Sequence, residues 1–278
     1  YNDEVLNYLK SIGVRKIDYL IITHCHDDHY GGLWVNGGIY DSFKINNIIE
    51  FAKTENQTKD KPSAVYTNYV DARNYAVSKG AKSYTALEVY KDTTMRTIDL
   101  GPDMSMTTLY QKYYEEEAST ENNYSVCTLF TYKTHNFLFT GDLETPGEKS
   151  LVENNDIPAC DLYKAGHHGS KTSSSKELMA KVQPKVVCVC ACCGSDQYTK
   201  TDENQFPCQE FIDRVAPYTE NIYVTSISTD NTNKKFTSMN GNICFSCNGT
   251  DFSVACTNNG KVLKDTDWFK AHRNWPQN

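Results

Sequence analysis

The stretch Thr23-His24-Cys25-His26-Asp27-Asp28-His29-Tyr30-Gly31-Gly32 constrains this chain more than any other. Residues 24–29 hold three histidines and two aspartates, directly after the apolar run Ile17-Asp18-Tyr19-Leu20-Ile21-Ile22. The run reads as a buried strand. Imidazole and carboxylate groups lose solvation when buried unpaired, so packing is a poor reason for a strand to end in them and break on two glycines. Metal binding is a better one. His24 and His26 alternate in an extended stretch and share a side, whereas Asp28 and His29 follow the turn and address a second point. The spacing H-x-H-x-D-H therefore suits two adjacent metals, each with a partial shell.

With 278 residues, 39% of them hydrophobic, the chain is long enough for one α/β domain with a large core. No repeat and no linker divides it. No apolar stretch approaches the roughly 20 residues of a membrane helix, so the expectation is a soluble bacterial-type protein, extracytoplasmic or cytoplasmic. The sequence opens on Tyr1 without Met or a signal-like segment, and an upstream piece is expected to be missing. A net charge of −7 argues against holding long nucleic acid by overall electrostatics. Lys164, Lys171, Lys176, Lys181 and Lys185 crowd one segment, either as a solvated face or as a basic rim. Eleven cysteines, an odd number, exclude a complete set of internal disulfides. Cys188, Cys190, Cys192 and Cys193 read as small buried residues of a strand. Cys244 and Cys247 read as part of a hairpin, because no second pair stands at zinc-site spacing.

Periodicity predicts helices over residues 65–79, 146–153, 174–182 and 207–215. Strands are predicted over 83–90, 95–100, 105–111, 124–132, 136–140, 161–165, 185–192 and 222–225. Residues 115–123 read as an acidic exposed loop. Terminal hairpins are expected to turn at Asn240-Gly241 and Asn248-Gly249, and the aromatic tail with Trp268, Phe269 and Trp275 is expected to pack back.

Three strand ends carry the reactive side chains: residues 24–29, Asp142 after Phe137-Leu138-Phe139-Thr140-Gly141, and Gly166-His167-His168-Gly169-Ser170. Rigid strands of a layered α/β fold aim such residues into a common crevice. Asp142 either binds metal or caps the helix that follows. Of His167 and His168, one is a ligand, and the other hydrogen-bonds or touches substrate. Cys25 faces away into the core, and Asp27 orients a ligand. His135 and His272 read as exposed.

The motifs T-H-C-H-D-D-H-Y-G-G, F-L-F-T-G-D and H-H-G-S closely resemble the metallo-β-lactamase superfamily, and within it the hydrolase domain of ComEC-type competence proteins and its stand-alone relatives. Asn122-Asn123-Tyr124-Ser125 and Lys171-Thr172-Ser173-Ser174-Ser175 support the narrower match, and bacterial phosphorylcholine esterases are similar too. The resemblance runs to about residue 225. It implies a four-layer αββα sandwich as one domain over 1–278, with 226–278 as hairpins and tail packed on it. The family's first strands would precede Tyr1.

The resemblance also implies a site. His24 and His26 would hold one metal, Asp28 and His29 the other; Asp142 would bridge them, and His168 or His167 would complete the set. Asp28, Asp142 and His168 would serve catalysis, while Asp27, Asn123, Ser125, Ser170 and Lys171 would orient ligands or touch substrate. Two cations roughly 3.5–4 Å apart lower the pKa of a water between them. Zinc fits the histidines, and manganese or iron also suits the carboxylates. Two features depart from the pattern: a further family histidine is missing, and Gln205-Phe206-Pro207 stands where Gly-His-Pro is usual. The expected function is hydrolysis of a phosphodiester, of nuclease or phosphodiesterase type, on a small-molecule or short nucleic-acid substrate. The alternatives are hydrolysis of a lactam, lactone or thioester at the same centre, and a metal-binding or surface-interaction module without catalysis.

Overall fold

The computed structural model of the chain describes residues 2–35 and 38–277. The chain divides into two compact units, Tyr1–Arg96 with Lys112–Val126, and Thr97–Gln111 with Cys127–Asn278. The fold is mixed α/β, as expected.

The first unit runs α1 (Asn2–Ser11), β1 (Lys16–Ile21), α2 (Asp27–Tyr30), α3 (Ile39–Ser42), β2 (Lys44–Glu50), α4 (Ala64–Ser78), β3 (Lys82–Thr85) and α5 (Ala86–Lys91). The strands pair in the order β1-β2-β3, all parallel. Parallel pairing needs long crossovers, and α4 supplies the one from β2 to β3. Ile48 and Ile49 of β2 are buried, as is Tyr69 of α4. β1 is an edge strand and only half-buried, against the expectation of a buried one: Lys16 and Asp18 are exposed and pair at 2.8 Å. Full burial begins at Ile22, just after the strand.

Two other expectations are corrected here. The predicted strand over 83–90 stops at Thr85, which accepts the Glu88 N–H and receives the Glu88 carboxylate on its own N–H. This reciprocal cap starts α5 and overrides the β-branched composition. The acidic loop over 115–123 is exposed only at residues 115–117 and 119; Glu121, Asn122 and Asn123 are buried in a 3-10 turn.

The second unit contains β4 (Thr97–Gly101), β5 (Met104–Leu109), β6 (Cys127–Tyr132), β7 (His135–Phe139), α6 (Thr145–Asn154), β8 (Leu162–Lys164), α7 (Lys176–Val182), β9 (Val186–Cys193), α8 (Gln209–Val215), β10 (Ile222–Asp230), β11 (Lys235–Ser238), β12 (Ile243–Cys247), β13 (Phe252–Cys256) and α9 (Asp267–His272). Eight strands form one sheet in the order β11-β10-β9-β8-β7-β6-β5-β4. β4 to β7 form an antiparallel meander, while β7, β8, β9 and β10 are parallel and are joined by α6, α7 and α8. Leu138, Tyr163, Val187 and Val224 pack against Leu151, Leu178, Met179 and Phe211 in the core. Trp268 and Phe269 of α9 join that cluster.

Asn240-Gly241 does not turn a hairpin. β10 and β11 turn earlier, and Asn248-Gly249 turns β12 into β13. Asn240 is instead a buried brace, accepting the Val224 N–H at 2.7 Å and donating to the Asn259 and Lys261 carbonyls. Among the described residues no helix is long and apolar enough to cross a membrane.

Candidate metal centre

In each unit the chemistry collects at the C-terminal ends of parallel strands, where crossovers leave a crevice. β1 leads into His24. Its ring is fully buried, with Nδ1 3.1 Å from the Thr23 hydroxyl and 3.4 Å from that of Ser125. Nε2 is left to face His26, whose Nδ1 lies 2.9 Å away. His26 is still extended, and helical geometry starts at Asp27. That turn brings His29 back, so that its ring centre lies 4.1 Å from that of His24 and its Nδ1 lies 3.2 Å from the Thr23 hydroxyl. His29 Nε2 stands 3.6 Å from Asp28 Oδ2. The first unit thus brings His24, His26 and His29 together, with Asp28 beside His29 at the surface; Asp27 and Asp28 are both exposed. Asn123 is buried and donates to the Thr120 hydroxyl.

Behind this loop lies a group that the sequence reading missed. Glu121, 5% exposed, accepts the N–H groups of Cys25 at 3.3 Å and Glu55 at 2.9 Å, and the Thr54 hydroxyl at 2.9 Å. Burial raises its pKa despite these donors. Cys25 is core, as read, and burial pushes its thiol up to about 11.

In the second unit β7 and β8 are parallel neighbours, so Thr140-Gly141-Asp142 and Gly166-His167-His168 emerge at the same end. The His167 N–H donates to the Gly141 carbonyl at 3.2 Å, joining the two loops. His167 and His168 both have left-handed backbones, φ 43° and 57°, which non-glycine residues rarely adopt. In that conformation both rings turn toward Asp142: His168 Nε2 lies 3.2 Å and His167 Nε2 4.0 Å from its Oδ2. Asp142 is buried, and Glu144, not Asp142, occupies the cap position of α6.

The partners of the other ring nitrogens settle the tautomers. His168 Nδ1 lies 2.6 Å from the Cys190 carbonyl, an acceptor, so Nδ1 carries the proton. His167 Nδ1 lies 3.1 Å from the Thr172 hydroxyl, which donates onward to Glu144 at 3.2 Å. With Nδ1 so engaged, Nε2 is the ring nitrogen of each that faces the Asp142 carboxylate. Two acceptors face each other stably only with a proton or a cation between them, and imidazoles held by outer acceptors are the usual form of metal-ligating histidine. The donor set fits a divalent metal.

The loop after the histidines is clamped. Glu148 accepts from the N–H groups of Ser174 and Ser175, Arg214 donates to the carbonyls of Lys171 and Ser173, and Gly166 donates to the Tyr163 hydroxyl. Ser170 is buried against the Thr172 hydroxyl, and exposed Lys171 binds Asn204. His135, expected to be exposed, is buried and lies 3.0 Å from Asp161, while His272 is exposed and lies 3.0 Å from Asp202. Cys190, expected to be buried, is exposed in the middle of β9, where its register with β10 shifts.

The model of the metallo-β-lactamase superfamily matches residues 1–35, the segment that carries the H-x-H-x-D-H motif. ComE operon protein 3 of Bacillus subtilis is 23% identical over 187 residues, covering 67% of this chain and 21% of that protein. Competence protein ComA of Neisseria gonorrhoeae is 27% identical, covering 64% of this chain and 20% of its own length. The superfamily resemblance is borne out. The chain spans about a fifth of the length of these curated relatives. Recombination protein 2 of Haemophilus influenzae is 28% identical over 108 residues, 39% of this chain and 13% of that protein. Among solved structures, the metallo-β-lactamase fold protein YhfI from Bacillus subtilis aligns over 81% of both chains with 10% identity and a TM-score of 0.41. The diiron β-hydroxylase CmlA from Streptomyces venezuelae aligns over 63% of this chain and 36% of its own, with 12% identity and a TM-score of 0.36. The metallo-β-lactamase resemblance gives the chain a metal-dependent, hydrolase-type fold.

Proposed function

We propose that the protein is a metal-dependent phosphodiesterase acting on a small or short substrate. The residues that would hold metal are His24, His26, Asp28 and His29 in the first unit and Asp142, His167 and His168 in the second. The observation that carries the reading is the setting of His168: Nδ1 lies 2.6 Å from the Cys190 carbonyl, which leaves Nε2 facing Asp142 Oδ2 at 3.2 Å. When bound, divalent cations supply a water of lowered pKa and offset charge on the phosphoryl oxygens. Zinc suits the imidazoles, manganese or iron the carboxylates.

The chain's own groups prepare that site. Thr23 and Ser125 bear on His24 Nδ1, the Cys190 carbonyl holds the proton on His168, and Thr172 with Glu144 holds the proton on His167. Each ligand nitrogen is thereby oriented before substrate arrives. The names of the matched relatives, competence and recombination proteins, point to a nucleic-acid phosphodiester. The charge of −7 weighs against long polyanions and favours short ones.

Elemental analysis after supplementation should approach two metals per chain and drop in Asp142→Ala. Turnover of bis-p-nitrophenyl phosphate, with zinc or manganese, should exceed turnover of nitrocefin and of a simple lactone. A metal-free protein after supplementation overturns the reading, and hydrolysis of the lactam or lactone alone moves it to the other ester class.

A further inference from the structure

Beside His168 lies a cavity of about 130 Å³ whose walls include Tyr198, Phe206, Cys190, Cys192, Ser195 and Gln197. Tyr198 is 57% exposed, a large amphipathic ring left at the surface. Its plane lies within 15° of the His168 plane, with ring centres 6.4 Å apart. Phe206 completes a corner, 5.9 Å from His168 and 5.4 Å from Tyr198. Phe206 stands where the ComEC-type pattern has the histidine of Gly-His-Pro, so this chain has an aromatic wall in place of a titratable group.

We propose that this cavity is a stacking subsite for the nucleobase next to the scissile phosphodiester, with Tyr198 and Phe206 as its walls. The inference rests on the phosphodiesterase reading and deepens it by naming the substrate class, a nucleotidyl ester. Base stacking on aromatic rings tolerates any sequence, because every base has a π face. The Ser195 hydroxyl and Gln197 amide at the wall offer donors and acceptors that suit a base edge. A quaternary ammonium fits less well. It would find the faces of Tyr198 and Phe206, but a cation held at His168 Nε2 beside the cavity would repel it. The described lining also carries no carboxylate to balance such a charge.

The test separates the subsite from the reaction. Calorimetric titration of the protein, loaded with zinc or manganese, compares thymidine 5′-monophosphate with 1,2-dideoxyribose 5-phosphate, which has hydrogen in place of the base. The expected result is about tenfold tighter binding of the nucleotide, a ratio that falls toward one in Tyr198→Ala and narrows in Phe206→Leu. In parallel, kcat/KM is compared for the p-nitrophenyl esters of thymidine 5′-phosphate, methyl phosphate and phosphorylcholine. The nucleotidyl ester should lead by a margin that Tyr198→Ala removes. A nucleotide-to-sugar binding ratio near one in the wild type, or a preference for the choline ester, overturns the subsite and leaves the phosphodiesterase reading standing. Discrimination for the base that Tyr198→Ala abolishes, with no ester hydrolysed, supports the subsite and overturns the reaction.

Discussion

The Glu148 carboxylate accepts the Ser174 backbone N–H at 2.6 Å, and through it α6 fixes the loop that follows His167 and His168. Glu148 is fully buried, and desolvation pushes its pKa from 4.5 up to about 7, against the pull of Ser174, Ser175 and Arg214. A raised carboxyl pKa means that the folded chain keeps a proton which the unfolded chain has released. Its stabilisation is complete below about pH 4.5 and is lost as pH rises through 7. The stability of the wild type relative to Glu148→Gln should therefore fall across that window by on the order of 3 kcal/mol. Thermal melts at pH 5, 6, 7 and 8 check this, since about 1 kcal/mol moves Tm by roughly 2–4 °C at this size. A pH-independent difference between the two proteins contradicts it.

Gly169 follows the histidines at φ +80°, and a Cβ there would sit 2.8 Å from Pro207 Cβ and 3.3 Å from Pro207 Cα. The neighbour is a rigid ring that cannot swing aside. Gly169→Ala should cost about 2–4 kcal/mol, combining left-handed strain with overpacking. Gly13 has the same handedness, φ +82°, with nothing within 4 Å of its Cβ, so Gly13→Ala should cost only about 1 kcal/mol. Urea midpoints with unchanged slopes give both numbers. Equal losses would show that space around Gly169 is immaterial.

The parts of the site legible in the sequence were those whose chemistry is local. Residues 24–29, Asp142 and the His167-His168 pair each stand at the end of an apolar run, and the adjacency of β7 and β8 follows from the helix between them. What was not legible depends on pairing across distance. Glu121 reads as one more acid in a polar loop until it meets the Cys25 and Glu55 amides. His135 reads as a turn residue until Asp161 is placed 3.0 Å away. The cap of α5 was present as Thr85-x-x-Glu88 and was outweighed by the strand-like composition around it. Cys190 reads as buried from the strand period, which breaks there: β8 pairing ends at Cys188 and the register with β10 shifts between Val189 and Cys192.

The cysteines make that last difference measurable. Cys190 and Cys244 are exposed, whereas Cys127 and Cys193 are fully buried with thiols pushed well up by desolvation. The thiolate is the reactive form, so iodoacetamide on the native protein should label Cys190 and Cys244 first, and Cys127 and Cys193 only after denaturation. Peptide mass spectrometry over a time course resolves the order. Early labelling of Cys193 would mean that β9 opens in the native state.

If His24 and His26 hold metal as proposed, Glu121 joins stability to metal affinity. Its carboxylate holds the N–H of Cys25, the residue between His24 and His26, so it fixes the backbone on which both rings hang. Glu121→Ala removes the acceptor for Cys25, Glu55 and Thr54 together, and leaving a buried donor unsatisfied costs roughly 1–3 kcal/mol each. Groups that orient ligand-bearing segments typically change metal affinity by about 10–100-fold when lost. Glu121→Gln keeps one acceptor oxygen and should fall between the two. Competition with a chromophoric chelator reads the affinity, and urea unfolding of the metal-free proteins reads the stability. Both should decline in the order wild type, Gln, Ala. Were the Ala protein less stable yet within twofold of wild type in metal affinity, Glu121 would brace the first unit without shaping its metal ligands.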